Sequence, residues 1–334
     1  MDISSGKRQC LEKLSDKRGI ISALAVDHRG PLRTAMARAR GVREDEVAPA
    51  DLTAFKAVVA RTLGPHSSAL LLDPEYSLPL IGEARSLTGL LLAYEQSGYD
   101  NTRPGRRPSL LPFWSVRRLL EAGAQGIKVL LHFTPDESEE YNREKFAFVE
   151  RVGAECAAAD VPFFLELISY APGGKDCPAD SHSKPEIVRR SIEEFEQERY
   201  GVDVLKVEIP IDIRRVEGAE SLKGEPILTR AQACDAFRHA FGAASKPLIF
   251  LSAGVSEREF AESLRMASES GVKWCGFLCG RAVWQDGIPI YVKQGVGAVD
   301  DWMRAEGRKR LAQAESCLDG ATAWGRYETS SAAR

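Results

Sequence analysis

The segment V-D-V-L-K-V-E-I-P, residues 202–210, places a lysine and a glutamate inside an otherwise apolar run. The run predicts a buried strand, and because strand side chains alternate between faces, Lys206 and Glu208 should point the same way. An unpaired buried charge is costly, so the chain must pair it, neutralise it or use it. The segment alone leaves two interpretations open, a structural Lys206–Glu208 pair and a reactive lysine in a functional site.

Segments of strand character recur along the chain and alternate with segments of helical spacing. The predicted strands are Ile20–Asp27, Ser67–Asp73, Gly89–Glu95, Gly126–His132, Val161–Ile168, Val202–Ile209, Pro247–Ala253 and Trp274–Cys279. Helical spacing is clearest in Leu52–Leu63, Val116–Ala122, Arg143–Ala158, Pro185–Glu198, Arg230–Phe241 and Ser256–Ser270. This alternation, without a break in composition, favours one (β/α)8 TIM barrel over an open doubly wound sheet. We expect the barrel domain to span residues 1–327, with a closing helix from Gly307 to about Tyr327 and a flexible tail at 328–334.

Composition excludes several classes of function. A formal net charge of -3 gives no general attraction to nucleic acid or to anionic membranes. The N-terminus lacks the apolar core of a secretory signal, so we expect a cytoplasmic protein. The seven cysteines are scattered and the five histidines lie far apart, which favours reduced thiols and argues against a metal site. We therefore expect no metal and no cofactor, and the sequence leaves a homo-oligomer open.

Polar residues stand at the ends of most predicted strands, and in a TIM barrel the C-terminal strand ends carry the chemistry. The long loops 171–185 and 214–229 follow the fifth and sixth strands on the same face. Each is interpreted either as a lid or as a disordered surface loop. The arginines of R-P-G-R-R-P, Arg103, Arg106 and Arg107, are expected to be solvated.

Three predicted strands carry residues suited to carbonyl chemistry. Lys128 and Lys206 lie on the fourth and sixth strands, which contribute to the same interior layers of a barrel, so the two side chains should face each other. A nearby cation together with burial would favour a neutral, nucleophilic amine at Lys206, able to form a Schiff base with a ketone. Glu166, on the intervening strand, is the candidate acid–base residue, and Glu208 competes with it. The alternative for Glu166 is a purely structural partner of the lysines.

An anion site is predicted at the loops after the seventh and eighth strands, L-S-A-G-V-S and L-C-G-R-A-V-W. Barrels commonly bind phosphate there through backbone N–H groups. Ser252 supplies a hydroxyl and Arg281 a forked cation, while Gly254 and Gly280 permit close approach or simply form tight turns. A second candidate set follows the first strand at the barrel mouth, namely Asp27, His28 and Arg29.

Taken together, these blocks resemble the tagatose 1,6-bisphosphate aldolase family of class I, lysine-dependent aldolases, which also contains sulfofructose 1-phosphate aldolases. The resemblance runs nearly end to end and rests on G-I-I-S-A-L-A-V-D-H-R-G, L-L-L-D-P-E-Y, L-L-A-Y-E-Q-S-G-Y-D, V-P-F-F-L-E, V-D-V-L-K-V-E-I-P, L-S-A-G-V-S and L-C-G-R-A-V-W. It implies that Lys206 is the Schiff-base lysine and Glu166 the acid–base residue. By the same resemblance, Lys128 and Arg281 bind substrate oxygens or phosphate. One departure is His28, where the family usually has glutamine.

The predicted function is therefore reversible cleavage of tagatose 1,6-bisphosphate into dihydroxyacetone phosphate and glyceraldehyde 3-phosphate. The sugar phosphate is the only partner expected, and Glu208 is left with an orienting role. Three alternatives remain: a sulfofructose 1-phosphate aldolase, a barrel that binds sugar phosphate without turning it over, and a metal-dependent aldolase.

Overall fold

The computed structural model describes residues 3–99, 102–172, 175–176 and 182–327. Eight parallel strands form a closed ring: β1 Ile21–Ala25, β2 Ala69–Leu72, β3 Gly89–Ala93, β4 Gly126–Phe133, β5 Phe163–Ala171, β6 Val204–Val207, β7 Leu248–Phe250 and β8 Gly276–Cys279. Each strand pairs with its neighbours along the chain, and β8 pairs with β1 to complete the barrel. The predicted (β/α)8 barrel is confirmed. A further two-residue strand, Lys175–Asp176, pairs antiparallel with the end of β5.

The helices lie outside the ring, apart from the first, which covers its N-terminal end. They are α1 Ser5–Leu14, α2 Gly30–Arg40, α3 Pro49–Leu63, α4 Ile81–Leu87, α5 Val116–Ala122, α6 Glu139–Ala158, α7 Lys184–Phe195, α8 Arg230–Phe241, α9 Glu257–Glu269, α10 Arg281–Trp284, α11 Gly287–Trp302 and α12 Arg308–Glu315. Within the described residues, no helix combines the length and the apolar character needed to cross a bilayer.

Strand residues alternate between two apolar layers, as expected for strands buried on both sides. Ala23, Leu91 and Phe164 point into the barrel interior, where Leu11 and Leu14 of α1 close the N-terminal end. The residues between them on the strands pack outward against the helices. The interior is therefore filled from below by α1, and a cavity opens above this packed layer at the C-terminal strand ends.

The expected closing helix to Tyr327 is wrong in its length. Helix α12 ends at Glu315, and a 3-10 turn follows at Leu318–Gly320. Trp324 then donates its backbone N–H to the Gly19 carbonyl at 3.0 Å and buries its side chain against the interior layer. A continued helix would carry this tryptophan away from the barrel base, so burial of the side chain takes precedence over helix propensity.

Of the two loops considered as lids, the 214–229 stretch is ordered and packs on α9. Glu262 accepts the backbone N–H groups of Glu220 and Ser221 at 2.7 and 2.9 Å, and Lys223 pairs with Glu259 at 2.7 Å. The alternative of a disordered surface loop is therefore wrong for this stretch. Residues 173–174 and 177–181 of the 171–185 loop lie outside the described residues, as does the 328–334 tail.

Candidate active site

A cavity of about 470 Å³ opens at the C-terminal end of the barrel. Residues on or just after every barrel strand except β2 line it, and they include both lysines and Glu166. Its charged and polar lining residues are Asp27, His28, Arg29, Glu95, Ser97, Tyr99, Lys128, His132, Glu166, Lys206, Ser252 and Arg281. These side chains surround a single cavity, and the packed apolar interior of the barrel forms its floor.

Glu166 lies between the two lysines. Its carboxylate oxygens contact the ammonium groups of Lys206 at 2.9 Å and Lys128 at 2.8 Å. The parallel register makes Glu166 and Lys206 direct neighbours on β5 and β6, and all three side chains are buried. The expected convergence of these residues is therefore present, but a carboxylate separates the lysines rather than leaving them face to face.

Lys128 is held by three carboxylates. Its ammonium lies 2.8 Å from oxygens of Asp27, Glu95 and Glu166, and its side chain is only 1% exposed. Burial alone would lower the pKa of Lys128, but the charges of Asp27, Glu166 and Glu95 outweigh it and raise the pKa well above its usual value. Lys128 is thus a permanent cation fixed in position, which suits it to bind substrate oxygens.

Glu166 and Asp27 are held in their ionised forms by the same cluster. Burial alone would raise the pKa of Glu166, yet Lys128 and Lys206 together lower it to about 2. The pKa of Asp27 is likewise lowered, against its burial, by Lys128, His28 and Lys206. Burial raises the pKa of Glu95, and one of its carboxylate oxygens has no hydrogen-bond partner. Glu166 beside Lys206 is therefore unprotonated in the free protein.

His28 is a neutral imidazole at the wall of the cavity. Burial, together with the nearby charges of Arg281, Lys206 and Lys56, lowers its pKa to about 3, although Asp27 opposes the shift. The ring packs edge-on against Trp284 at a centroid distance of 5.1 Å. The imidazole that replaces the family's usual glutamine therefore does not titrate near neutral pH.

Arg29 connects the loops that follow three strands. Its guanidinium lies 2.6 Å from the Glu75 carboxylate and donates to the Glu95 carbonyl at 2.8 Å. It also lies 3.6 Å from the Glu95 carboxylate, and only 5% of its side chain is exposed. The residue lines the cavity as predicted, but its charge is already paired, which indicates a role in fixing the mouth.

The residues predicted to bind an anion lie together beside this cluster. Ser252, Gly280 and Arg281 line the cavity. Gly254 lies just outside it, and a Cβ there would lie 3.0 Å from the Arg281 guanidinium carbon, so the glycine leaves room for that side chain. Within the described ranges, the guanidinium of Arg281 forms no hydrogen bond or ion pair with another residue. A forked cation without a protein partner, next to a serine hydroxyl, suits an anionic substrate group.

Glu208 does not join the other site residues. Strand β6 ends at Val207, so strand alternation no longer applies at residue 208. The carboxylate accepts the backbone N–H of Ser169 at 2.6 Å, hydrogen-bonds to the Ser169 hydroxyl and pairs with Lys184 at 3.3 Å. The prediction that Glu208 shares a face with Lys206 is wrong, and Glu208 instead connects the ends of β5 and β6 to the start of α7.

Sequence reasoning missed several residues of the cavity. Glu95 and His132 were recognisable as polar strand ends, but nothing in the sequence indicated how deep each would lie. Tyr99 follows β3 and contacts His132 edge-on at 4.8 Å. The expectation that Arg106 and Arg107 are solvated is wrong, since they are 7% and 8% exposed.

Chemically, the cavity joins a buried amine, an ionised carboxylate in contact with it and a fixed ammonium on the other side of that carboxylate. An amine of this kind can form an imine with a ketone once it has lost its proton, and the carboxylate can receive that proton. The described residues include no group of three or more His, Cys, Asp or Glu side chains arranged to hold a metal ion.

Comparison with known proteins agrees with this chemistry. Residues 21–286 match the DeoC/LacD family aldolase. Tagatose 1,6-diphosphate aldolase of Listeria monocytogenes serotype 4a is 41% identical over 327 residues, which cover 97% of this chain and 95% of the relative. Tagatose 1,6-diphosphate aldolase 2 of Enterococcus faecalis is 44% identical over 313 residues, 93% of each chain. Tagatose 1,6-diphosphate aldolase 1 of Streptococcus mutans is 42% identical over 97% of this chain and 99% of the relative.

Solved structures of aldolases share the fold at low sequence identity. A fructose-bisphosphate aldolase of Plasmodium falciparum, solved with TRAP and a small-molecule inhibitor, superposes with a TM-score of 0.66 at 15% identity and covers 96% of both chains. A Schiff-base-forming fructose-1,6-bisphosphate aldolase, analysed through its reaction intermediates, gives a TM-score of 0.52 at 15% identity, with 90% and 98% of the chains covered. From its sequence relatives, the chain belongs to the DeoC/LacD family of aldolases, in its tagatose 1,6-bisphosphate aldolase branch.

Proposed function

We propose that the protein is a class I aldolase that reversibly cleaves tagatose 1,6-bisphosphate into dihydroxyacetone phosphate and glyceraldehyde 3-phosphate through a Schiff base on Lys206. The observation that carries the proposal is the buried Lys206–Glu166–Lys128 arrangement, with contacts of 2.9 and 2.8 Å, inside the cavity. The relatives named as tagatose 1,6-diphosphate aldolases support the choice of substrate.

In the cleavage direction, the Lys206 amine attacks the C2 ketone of the open-chain sugar and water leaves, which gives a protonated iminium. Glu166 takes the proton of the C4 hydroxyl as the C3–C4 bond breaks. The electron pair of that bond moves to the iminium and forms an enamine, while C4 becomes the aldehyde of glyceraldehyde 3-phosphate. Protonation at C3 and hydrolysis then release dihydroxyacetone phosphate and free Lys206.

The surrounding residues have distinct parts in this scheme. Lys128 and Asp27 bind substrate hydroxyl groups, and His28 contributes a neutral imidazole to the same wall. The C1 phosphate lies at Ser252, Gly280 and Arg281, one and two strands from Lys206, where a forked cation without a protein partner is available.

Borohydride trapping tests the proposal. Sodium borohydride reduces the iminium formed with dihydroxyacetone phosphate, so we expect a stable adduct on Lys206 that peptide mass spectrometry locates. Lys246 provides a matched control, because it is also a buried lysine but donates to the Val202 carbonyl at 2.6 Å and does not line the cavity. We expect K206M to abolish the adduct and K246M to retain it, provided both variants fold by circular dichroism.

Failure to trap any adduct on the wild-type protein would contradict the Schiff base and favour a non-catalytic sugar-phosphate-binding barrel. The substrate is tested separately by comparing kcat/KM for tagatose 1,6-bisphosphate with that for sulfofructose 1-phosphate. Activity on sulfofructose 1-phosphate alone would overturn the proposed substrate and leave the chemistry intact.

A further inference from the structure

The loop after β3 reaches the cavity through Tyr99. Its ring packs edge-on against His132 of β4 at 4.8 Å, and both residues line the cavity. We call this pair the Tyr99–His132 wall. The loop is closed at its base, because Gln96 donates its backbone N–H to the Ser109 carbonyl at 2.8 Å and Leu111 donates to the Tyr94 carbonyl at 3.0 Å. Tyr99 thus belongs to a loop whose two ends are fixed to the barrel, and His132 belongs to the barrel itself.

Arg106 holds Tyr99 in place from behind. Its guanidinium carbon lies 4.9 Å from the ring centroids of both Tyr99 and Tyr170, so the cation is stacked between two aromatic rings. The backbone of Arg106 has a φ of 47°, a left-handed conformation that is unusual for a residue with a side chain. The loop thus adopts an unfavourable backbone conformation that inserts this side chain between the two rings.

Tyr170 is a rigid support for that stack. It is fully buried at the end of β5, and its hydroxyl accepts a hydrogen bond from the Lys145 ammonium at 2.6 Å. The same hydroxyl lies 3.2 Å from the Gly105 carbonyl and 3.1 Å from the Glu137 carboxylate. Tyr170 therefore anchors both the arginine and the loop backbone to β5.

The position of the wall indicates which part of the substrate it meets. In an eight-stranded ring, β3 and β4 lie opposite β7 and β8, where the C1 phosphate lies in the proposed function. With C2 bonded to Lys206 on β6, the carbons beyond the broken bond extend across the cavity towards β3 and β4. The half that leaves as the aldehyde therefore points at the Tyr99–His132 wall, whereas dihydroxyacetone phosphate does not reach it.

We propose that the Tyr99–His132 wall binds the aldehyde half of the substrate, and that Arg106 is a positioning residue that sets the affinity for this half through Tyr99. The inference rests on the proposed function and adds the part of the site that selects the aldehyde. Arg106 does not line the cavity, so its effect on the substrate is transmitted through Tyr99.

The test measures the two substrates separately in the condensation direction. Loss of the Arg106–Tyr99 stack should weaken binding of the aldehyde half by about tenfold, which corresponds to the energy of one cation–π contact. We expect R106M and Y99L to raise the KM for glyceraldehyde 3-phosphate by about tenfold, since both disturb the wall. The KM for dihydroxyacetone phosphate and the yield of its borohydride adduct should stay within about twofold of wild type, because that half binds elsewhere. R106K should lie between R106M and wild type, because lysine keeps the charge but not the planar stack.

Arg107 provides the matched control. It lies in the same loop, is 8% exposed and stacks on Tyr141 at 4.7 Å, but neither residue lines the cavity. We expect R107M to leave both KM values within about twofold of wild type. The double variant R106M/Y99L should be no worse than Y99L alone, because both changes act on one wall.

Three outcomes would overturn the inference: an equal rise of both KM values in R106M, an R107M effect as large as that of R106M, or additive effects in the double variant. The adduct with dihydroxyacetone phosphate also reports folding, since a misfolded variant would lose it. Absence of the adduct from the wild-type protein would instead contradict the proposed function, so the two failures are distinguishable.

Discussion

At the scale of single residues, the site depends on one carboxylate shared by two ammonium groups. An ammonium beside Lys206 would favour the neutral amine, but Glu166 lies between the two lysines and contacts both. The carboxylate compensates the charge of both lysines and is itself kept ionised by them. Glu166 is therefore unprotonated and Lys128 stays charged in the free protein, and the proposed function assigns proton uptake from the substrate to Glu166.

The contrast between Glu166 and Glu208 leads to a direct prediction. We expect E166Q to lower kcat about a hundredfold or more, because the amide cannot accept a proton. E208Q should reduce activity far less, since Glu208 lies outside the cavity, but it should cost about 1–3 kcal/mol of unfolding free energy through its bonds to Ser169 and Lys184. Steady-state kinetics and urea unfolding of both variants provide the measurements. A larger loss of kcat in E208Q than in E166Q would exchange the two roles.

His28 leads to a prediction about pH. Its folded pKa of about 3 lies below the ordinary value of 6.5, so between these values the unfolded chain binds a proton that the folded protein does not. Stability should therefore fall as pH drops from 6.5, by about 2 kcal/mol at pH 5 from this residue alone.

The H28Q variant should lack the pH-dependent part of the unfolding free energy that His28 contributes. We expect the loss of unfolding free energy between pH 7 and 5, measured in urea, to be smaller in H28Q than in wild type. H66Q is the control, because His66 is exposed in the turn Gly64–His66. An equal pH dependence in H28Q and wild type would show that His28 is protonated in the folded state.

The sequence was sufficient to predict which strands carry the reactive residues, but not how they pair. Lys206 and Glu166 were identifiable because charges inside apolar strands must be compensated. The convergence of Asp27 and Glu95 on Lys128 depends on how far each side chain lies along its strand, which residue spacing does not encode. The Arg106 stack was missed because Tyr99 lies in the loop after β3 and Tyr170 on β5, far apart in the sequence.

At the scale of elements, the strands were predictable from their apolar runs and the loops were not. The barrel closes where β8 meets β1, and Gly276 lies at that contact with a φ of 131°. A Cβ at this position would lie 1.9 Å from the Ile21 carbonyl oxygen. Closure of the ring therefore depends on the close approach of two backbones, which only glycine permits.

We expect G276A to destabilise the protein by about 3 kcal/mol or more, because the methyl group would separate β8 from β1. The control is G41A, since Gly41 also has a positive φ, of 71°, but no atom lies within 4 Å of the added carbon. That variant should lose only about 1 kcal/mol, the cost of the backbone conformation. Urea unfolding measures the free energy of both variants. Equal losses of unfolding free energy in G276A and G41A would mean that the close contact between β8 and β1 does not contribute to the effect.

At the scale of the whole molecule, the ring of strands places the three regions of the site around one cavity. In the proposed function, the anion site lies at β7 and β8, the Schiff-base lysine at β6 and the Tyr99–His132 wall at β3 and β4, and residues of all three regions line the cavity. A ketose phosphate attached at β6 therefore has its two halves directed to opposite sides of the barrel. Cleavage between the halves would leave each product on its own side, so we expect condensation to select the two substrates independently.

The same arrangement argues that catalysis is independent of metal ions. Asp27, Glu95 and Glu166 converge at 2.8 Å on the Lys128 ammonium, so the carboxylates that would suit a divalent cation are already occupied by a protein cation. In the proposed function, the protonated iminium at Lys206 supplies the electron sink that a metal would otherwise provide. We expect exhaustive dialysis against a chelator to leave kcat/KM within about twofold, whereas a metal-assisted aldolase would lose most of its activity. The measurement is cleavage of tagatose 1,6-bisphosphate before and after dialysis, with K128M assayed alongside. If dialysis lowered the activity of the wild-type protein and added divalent cation restored it, the iminium mechanism would be contradicted. If activity were low only in K128M, the assignment of the fixed cation to Lys128 would be supported.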